Sequence, residues 1–377
     1  MKKLFTAVLF LLFIFSFANA QEADDFDSIF DDAGADVEVE QATPVIPAAS
    51  SSSSGISFTG HFDGDVGLSA IIKDKPDFGG YIALKNILYM DVKPNPVVGL
   101  HGALETSLDN KFSIGINYLY FDYLLFDRIF ISAGKKSLSW GYTRLFADGN
   151  IMTDTNGMLN AEVRFPWSSG TLTLVGAYNY ALLSSTPSYT DITYAASLEQ
   201  TIGHTSANLF AKKYGKSETS GGVHKSPVAG LELKRTILGF DFYAQGAARL
   251  PGFKSFEGVN AIAGFYRLWD GFDPNIGINI EYEYKYIQNP ADGQNAHNNL
   301  LWLQWGIKRI GKKKNMKGAV DWQHNFTDSN GKVTAAFIID GLFPYASWKN
   351  GVEVSYSPAR KIPEFKIATT ISLSLDY

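Results

Sequence analysis

Hydrophobic and polar residues alternate along most of this chain. In GISFTGHFDGDVGLSAII (55–72), Ile56, Phe58, Phe62, Val66, Leu68 and Ile72 share one parity, opposite Ser57, Thr59, His61, Asp63 and Asp65. In NIGINIEYEYKYIQ (275–288), Ile276, Ile278, Ile280, Tyr282, Tyr284 and Tyr286 oppose Gly277, Asn279, Glu281, Glu283 and Lys285. The final run, EFKIATTISLSLDY (364–377), sets Phe365, Ile367, Ile371, Leu373, Leu375 and Tyr377 against Lys366, Ala368, Thr370, Ser372 and Asp376. A period of two predicts strands with one apolar face. Such runs exceed the ~5–6 residues usual in soluble strands. At about 3.3 Å per residue they are long enough to cross a bilayer at a tilt.

Segments of this kind begin near 55, 80, 97, 111, 128, 158, 170, 190, 204, 227, 237, 258, 275, 299, 316, 332, 347 and 364. Two of them, 128–140 and 204–214, switch parity midway, which predicts a bulge or a false strand. Sixteen strands are therefore secure by pattern, and the expected total is an even number from sixteen to eighteen. The body shows no amphipathic helix of ordinary length. If the body starts and ends on one side, links after odd strands face the other. Those include KDKPDF, GYTRLFADGNIMTDTNG, STPSYTD, GKSETSGGVHKS, LPGFKSFEG and NPADGQNAHN, with the two-residue DN turn at 109–110 as the exception. Links after even strands, such as KPNP, PWSSG, RTI and GKKKN, are mostly shorter.

The N-terminus reads differently. Lys2 and Lys3, an apolar run from Leu4 to Phe17 and Ala18-Asn19-Ala20 predict a cleaved export signal over 1–20. Residues 21–54 carry nine acidic and no basic residues, two prolines at 44 and 47, and the run Ser50 to Ser54. They read as a disordered acidic tail and linker. Within the tail, Phe26, Ile29, Phe30 and Ala33 follow helical spacing, so a short docking helix for a periplasmic partner of 21–43 is the competing reading. The folded body then spans 55–377, with 31 basic and 29 acidic residues, and its near-neutral charge gives no footprint for nucleic acid. The chain has no cysteine, which removes disulfide frameworks, thiol catalysis and Fe–S ligation.

Strict alternation also fits a soluble sandwich or barrel with its apolar face inward. Strand length, aromatics near strand ends (Tyr118, Tyr120, Tyr282, Tyr284 and Tyr286) and the terminal aromatic favour lipid outside and a wet lumen. The fold expected is all-β: a transmembrane up-and-down antiparallel barrel. With its Ala-x-Ala signal and final strand ending on Tyr377, the sequence resembles bacterial outer-membrane β-barrels inserted by the barrel assembly machinery. That resemblance implies that Leu373, Leu375 and Tyr377 form the assembly signal, although Phe is commoner than Tyr at the last position. AGKKSLSWGYTRLF (133–146) is similar to a Gly-Lys/Arg…Trp-Gly stretch of substrate-transporting porins. It implies a bacterial outer-membrane location, with outer-membrane lipid as the surrounding partner.

A porin's usual constriction is a long third external loop. Here the third outward link, 141–157, supplies Arg144, Asp148 and Asp154. Lys135 or Lys136, whichever points inward, and Glu281, Glu283 and Lys285 on the wall complete the candidate constriction set. Charges of both signs around a narrow lumen set up a transverse field that sorts solutes. Each equally fits a solvated wall position. The six histidines, 61, 101, 204, 224, 297 and 324, form no metal-ligand pair, and Asp292 near His297 or Ser226 near His224 is an adjacency any polar loop produces. No enzyme, cofactor or metal is expected. The leading function is passive diffusion of small hydrophilic solutes. A plugged barrel for fatty-acid-like substrates and a structural or adhesin barrel are the alternatives. Solute, charge preference and a monomeric or trimeric state stay open.

The register makes a direct prediction. Arginine at Ile371 or Ile278 should cost about 2–4 kcal/mol of assembly near the bilayer midplane, while arginine at Ser372 or Asn279 should be tolerated. Folding yield into vesicles measures this, and equal losses on the two parities would refute the lipid-out assignment.

Overall fold

The computed structural model describes residues 55–377 except 74–75, 110, 147–157, 180–187, 217, 221–222, 254, 274–275, 289–294, 308–314, 344 and 361. The first half of the chain supplies β1 (Gly55–Ile72), β2 (Pro76–Asn95), β3 (Val98–Leu108), β4 (Phe112–Leu125), β5 (Ile129–Lys135), β6 (Met158–Trp167), β7 (Gly170–Asn179), β8 (Thr193–Ile202) and β9 (Thr205–Lys213). A two-residue hairpin, β10 (Thr219–Ser220) and β11 (Val223–His224), follows. The second half supplies β12 (Val228–Ile237), β13 (Phe240–Arg249), β14 (Gly258–Asp273), β15 (Ile276–Gln288), β16 (Asn295–Ile307), β17 (Asn315–Asn325), β18 (Asn330–Phe343), β19 (Ala346–Tyr356) and β20 (Glu364–Asp376).

All but the small hairpin form one 18-stranded sheet. Each long strand pairs antiparallel with the next, β9 pairs with β12, and β20 returns to pair with β1. The sheet is thereby a closed barrel, which leaves no strand edge unpaired. Gly55 and Tyr377 lie at the same end. At that end the turns are tight, as at 96–97, 168–169, 203–204 and 238–239. At the far end the chain leaves the sheet for longer stretches, between β5 and β6, β7 and β8, β9 and β12, and β13 and β14.

Burial is inverted relative to a soluble protein. The side chains hidden most completely are polar: Glu162, Thr193, Glu232, Glu283, Thr334 and Thr370. Large apolar residues stand on the outside, with Leu209 55% and Ile371 53% exposed. An apolar band of this extent around a molecule is matched to hydrocarbon rather than to water. Directly opposed residues share a face, so the register assigns each side chain to lumen or lipid. Glu283, for example, lies between Gly264 and Leu300 on the lumen side, and Tyr282 between Phe265 and Leu301 on the other.

Both segments of doubtful parity contain strands, β9 over most of 204–214 and β5 over Ile129–Lys135, while 136–140 leave the sheet. In β9 the lumen face carries Ser206, Asn208, Phe210 and Lys212 without a bulge. The inward Phe210 breaks the pattern because it packs inside the barrel, where it is 4% exposed. In β5 the lumen face includes Phe130, Ser132 and Gly134, while Lys135 shares the outer face with Leu119 and Leu159. A second difference concerns the aromatic belt. Tyr282, Tyr284 and Tyr286 do face outward, but Tyr118 and Tyr120 point into the lumen. Between β3 and β4 the register shifts past Asn117, so Ile114 and Ile116 keep one parity outside and Leu119 and Phe121 the other. One inserted residue is enough to exchange the faces.

The seam between first and last strands is knitted by the chain end. Phe62 opposes Leu375 and Gly64 opposes Leu373. Tyr377 and Gly60 exchange both backbone hydrogen bonds, at 2.7 and 2.9 Å. The Tyr377 phenol donates to Asn86 Oδ1 of β2 at 2.8 Å, reaching across β1. Its ring lies so close over Gly60 that a Cβ there would sit 2.1 Å from the ring. Gly60→Val should therefore push Tyr377 off the seam and cost about 1–3 kcal/mol. Tyr377→Ala should absorb most of that cost in the double variant, read as the heat-unfolding midpoint of the purified barrel; strict additivity would contradict the contact.

Candidate functional site

The link that follows β5 does not stay at the rim. It starts with Lys136, which points inward, pairs with Glu162 at 2.7 Å and lies 5.4 Å from the Tyr120 ring. Asn160 Nδ2 donates to the Lys136 carbonyl at 2.7 Å. Leu138 then inserts among Met158, Val175, Ala177, Ala195 and Phe210, with Trp140 against them. This is an apolar cluster inside a polar lumen, and it fastens the loop to the wall of β6 to β9 by excluding water. Gly230 makes room for Phe210, because a Cβ there would come 2.4 Å from its ring.

Further along, the Tyr142 hydroxyl donates to Glu199 Oε1 at 2.9 Å. Burial first, and then the charges of Glu199 and Glu232, push this phenol well above its ordinary range. The loop next reaches β15. Arg144 N–H donates to Glu283 Oε1 at 2.5 Å and Phe146 N–H to Glu283 Oε2 at 2.7 Å. Tyr243 of β13 adds its hydroxyl to Oε1 at 2.7 Å. Glu283 is 0% exposed, so three donors replace the water it gave up. Each hydrogen bond to such a charge is worth about 1.5–3 kcal/mol. The Arg144 guanidinium pairs with Glu281 at 2.9 Å and stacks 4.0 Å from the centre of the Tyr266 ring. Lys285 Nζ lies 5.3 Å from the Phe146 ring.

Residues 136–146 thus form a chord across the lumen, from β6 past β8 and β9 to β15. Of the residues singled out by sequence, the structure brings Arg144, Glu281, Glu283 and Lys285 together and places Lys136 on the same loop. Lys135 stands on the outer face and donates to the Ile116 carbonyl. Asp148 and Asp154 lie outside the described residues.

The opposite wall is more open. On β1 to β4 and β20, His61 pairs with Asp63 at 2.8 Å and Asp376 at 2.7 Å. His101 sits between Asp91 at 2.6 Å and Asp122 at 3.4 Å, with Tyr120 stacked on it at 4.9 Å. The Asp91 and Asp122 side chains keep 43% and 48% of their surface. Lys85 and Glu105 pair nearer the far end at 3.4 Å. The lumen is therefore asymmetric: the loop packs along β6–β15, and half-exposed charge lines β1–β4.

Sequence parity identified the inward residues of β15, but not their partners. Tyr142, Glu162, Glu199, Glu232, Tyr243 and Tyr266 went unmarked, although the alternation of β13 already put Tyr243 with Asp241 and Gln245. Their roles depend on where the loop runs, which no local period encodes. Removing the anchor should free the loop. In Glu283→Ala, amide exchange at Arg144 and Phe146 should accelerate about tenfold or more, from the loss of ≥1.4 kcal/mol. Unchanged exchange would mean that the apolar cluster alone holds the chord.

No protein-family model and no curated protein sequence matches the chain. Solved structures do. OccK2 (OpdF) of Pseudomonas aeruginosa superposes with a TM-score of 0.50 at 8% identity, over 85% of this chain and 98% of that one. A substituted porin of Rh. blastica covers 85% of this chain and 100% of its own, with a TM-score of 0.44 and 11% identity. At such identities the likeness concerns the fold. What the likeness to OccK2 shows is the fold, a closed antiparallel barrel.

Proposed function

We propose that this barrel is an outer-membrane channel through which small hydrophilic solutes diffuse passively. The observation that carries the reading is the chord. A loop pinned at Glu283 occupies the β6–β15 side of the lumen, while half-exposed charges line β1–β4, and this asymmetry supports a passage on that side. Such a gap sorts by size first and charge second. Asp63, Asp91, Asp122 and Asp376 line its terminal mouth, each at least 37% exposed at the side chain. These charges favour cations over anions in the passage. Export by a cleaved signal and insertion by the assembly machinery through Leu373, Leu375 and Tyr377 complete the proposal. The plugged-barrel alternative would need a hatch from residues 21–54, which lie outside the described residues.

Planar-bilayer recording of the refolded chain tests this. Steady, ohmic conductance is expected, with a reversal potential under a salt gradient whose sign indicates cation preference. Asp91→Asn combined with Asp122→Asn should lower that preference. A folded barrel without conductance would overturn the open-channel reading.

A further inference from the structure

The lumen wall of β1–β4 carries more than charge. Tyr89 of β2 and Tyr118 and Tyr120 of β4 face inward, and their rings follow one another at 6.4 and 5.7 Å. His101 of β3 extends the run, stacked on Tyr120 at 4.9 Å with 23° between the planes. Ala103 separates Tyr89 from Tyr118 in the register and is only 3% exposed, so the two rings fold over it along the wall. The three tyrosines themselves stay half-buried and keep aromatic surface toward the lumen. Among the described residues, neither the Tyr89 nor the Tyr118 hydroxyl is hydrogen-bonded to another side chain. The register shift past Asn117 is what turns Tyr118 and Tyr120 inward, and bulges that re-aim side chains gather at functional sites. A contiguous aromatic strip in a polar lumen marks a place where something binds.

We propose that Tyr89, Tyr118 and Tyr120 form a stacking strip for an uncharged sugar in its pyranose form. The inference rests on the channel reading and gives it a solute class. A pyranose has an apolar C–H face that can lie on a phenol ring and a rim of hydroxyls that both donate and accept. The groups around the strip are of both kinds. Asp91 and Asp122 stand at its terminal edge, half-exposed on either side of His101, with oxygen left to accept from a hydroxyl. Lys136 Nζ lies 5.4 Å from the Tyr120 ring at the edge nearest the chord. A cation seated on the rings would lie against Lys136, and an anion against Asp91 and Asp122. An uncharged polyol can donate to the carboxylates and accept from the ammonium and the phenols.

Saturation-transfer NMR on the refolded full chain, in a detergent without a sugar headgroup, tests the strip with glucose as the probe. Transfer to glucose should saturate with concentration. Sorbitol, which has the hydroxyls but no ring face, should bind much more weakly. Affinity for glucose should fall about fivefold in Tyr89→Ala and in Tyr118→Ala, the worth of one ring contact. Tyr118→Phe should keep most of it, and the lipid-facing Tyr282→Ala all of it. If Tyr118→Ala does not refold to the heat-modifiable form, Tyr89→Ala decides. Equal transfer to sorbitol and glucose, or an affinity unaltered in the alanine variants, would overturn the strip. Tighter binding of glucosamine than of glucose would overturn the uncharged class. Binding is read without current, so a barrel that conducts but does not hold glucose would refute the strip alone. One that holds glucose but does not conduct would refute the channel alone.

Discussion

Everything in this protein depends on pairing backbone hydrogen bonds where no water can replace them. A strand in hydrocarbon must have a neighbour on both sides, so the sheet has to close. The pairing of β20 with β1 does this, along a register running from His61 with Asp376 to Ile72 with Phe365. Once closure is fixed, alternation follows as a consequence. One parity must be apolar because it meets lipid, and the other is free to be polar because it meets a lumen.

The lumen then poses the reverse problem. Its polar side chains are satisfied where water reaches them, but the chord displaces water from β6–β15. There, buried charge is met in two ways. Glu162 has Lys136 and Arg164, the latter at 2.7 Å, and Glu283 has backbone amides and a phenol. The loop therefore supplies the donors that its own arrival makes necessary. Leu138 and Phe210 add an apolar contact inside the barrel, an exception that works because it is sealed from the passage.

The barrel was legible in the sequence because its constraint is periodic. Ile276 to Tyr286 and Phe365 to Tyr377 announce their faces residue by residue. Where reading failed, a lumen contact or an insertion had overridden the period. Phe210 is inward for the sake of Leu138, and Asn117 shifts β4 enough to turn Tyr118 and Tyr120 inside. The constriction was legible only as a list of charges. That Arg144 would meet Glu281, and that Glu283 would receive amides rather than a guanidinium, depends on the path of one non-periodic loop.

The central claim, a water-filled passage beside the chord with lipid on the other side of the wall, is tested most directly along β4. The chain has no cysteine, so single cysteines can be placed at 119–123 in turn. A membrane-impermeant thiol reagent should modify positions 120 and 122 and reduce the current through the bilayer-inserted protein. It should leave 119, 121 and 123 unmodified. Reactivity at the odd positions, or equally at all five, would contradict the account.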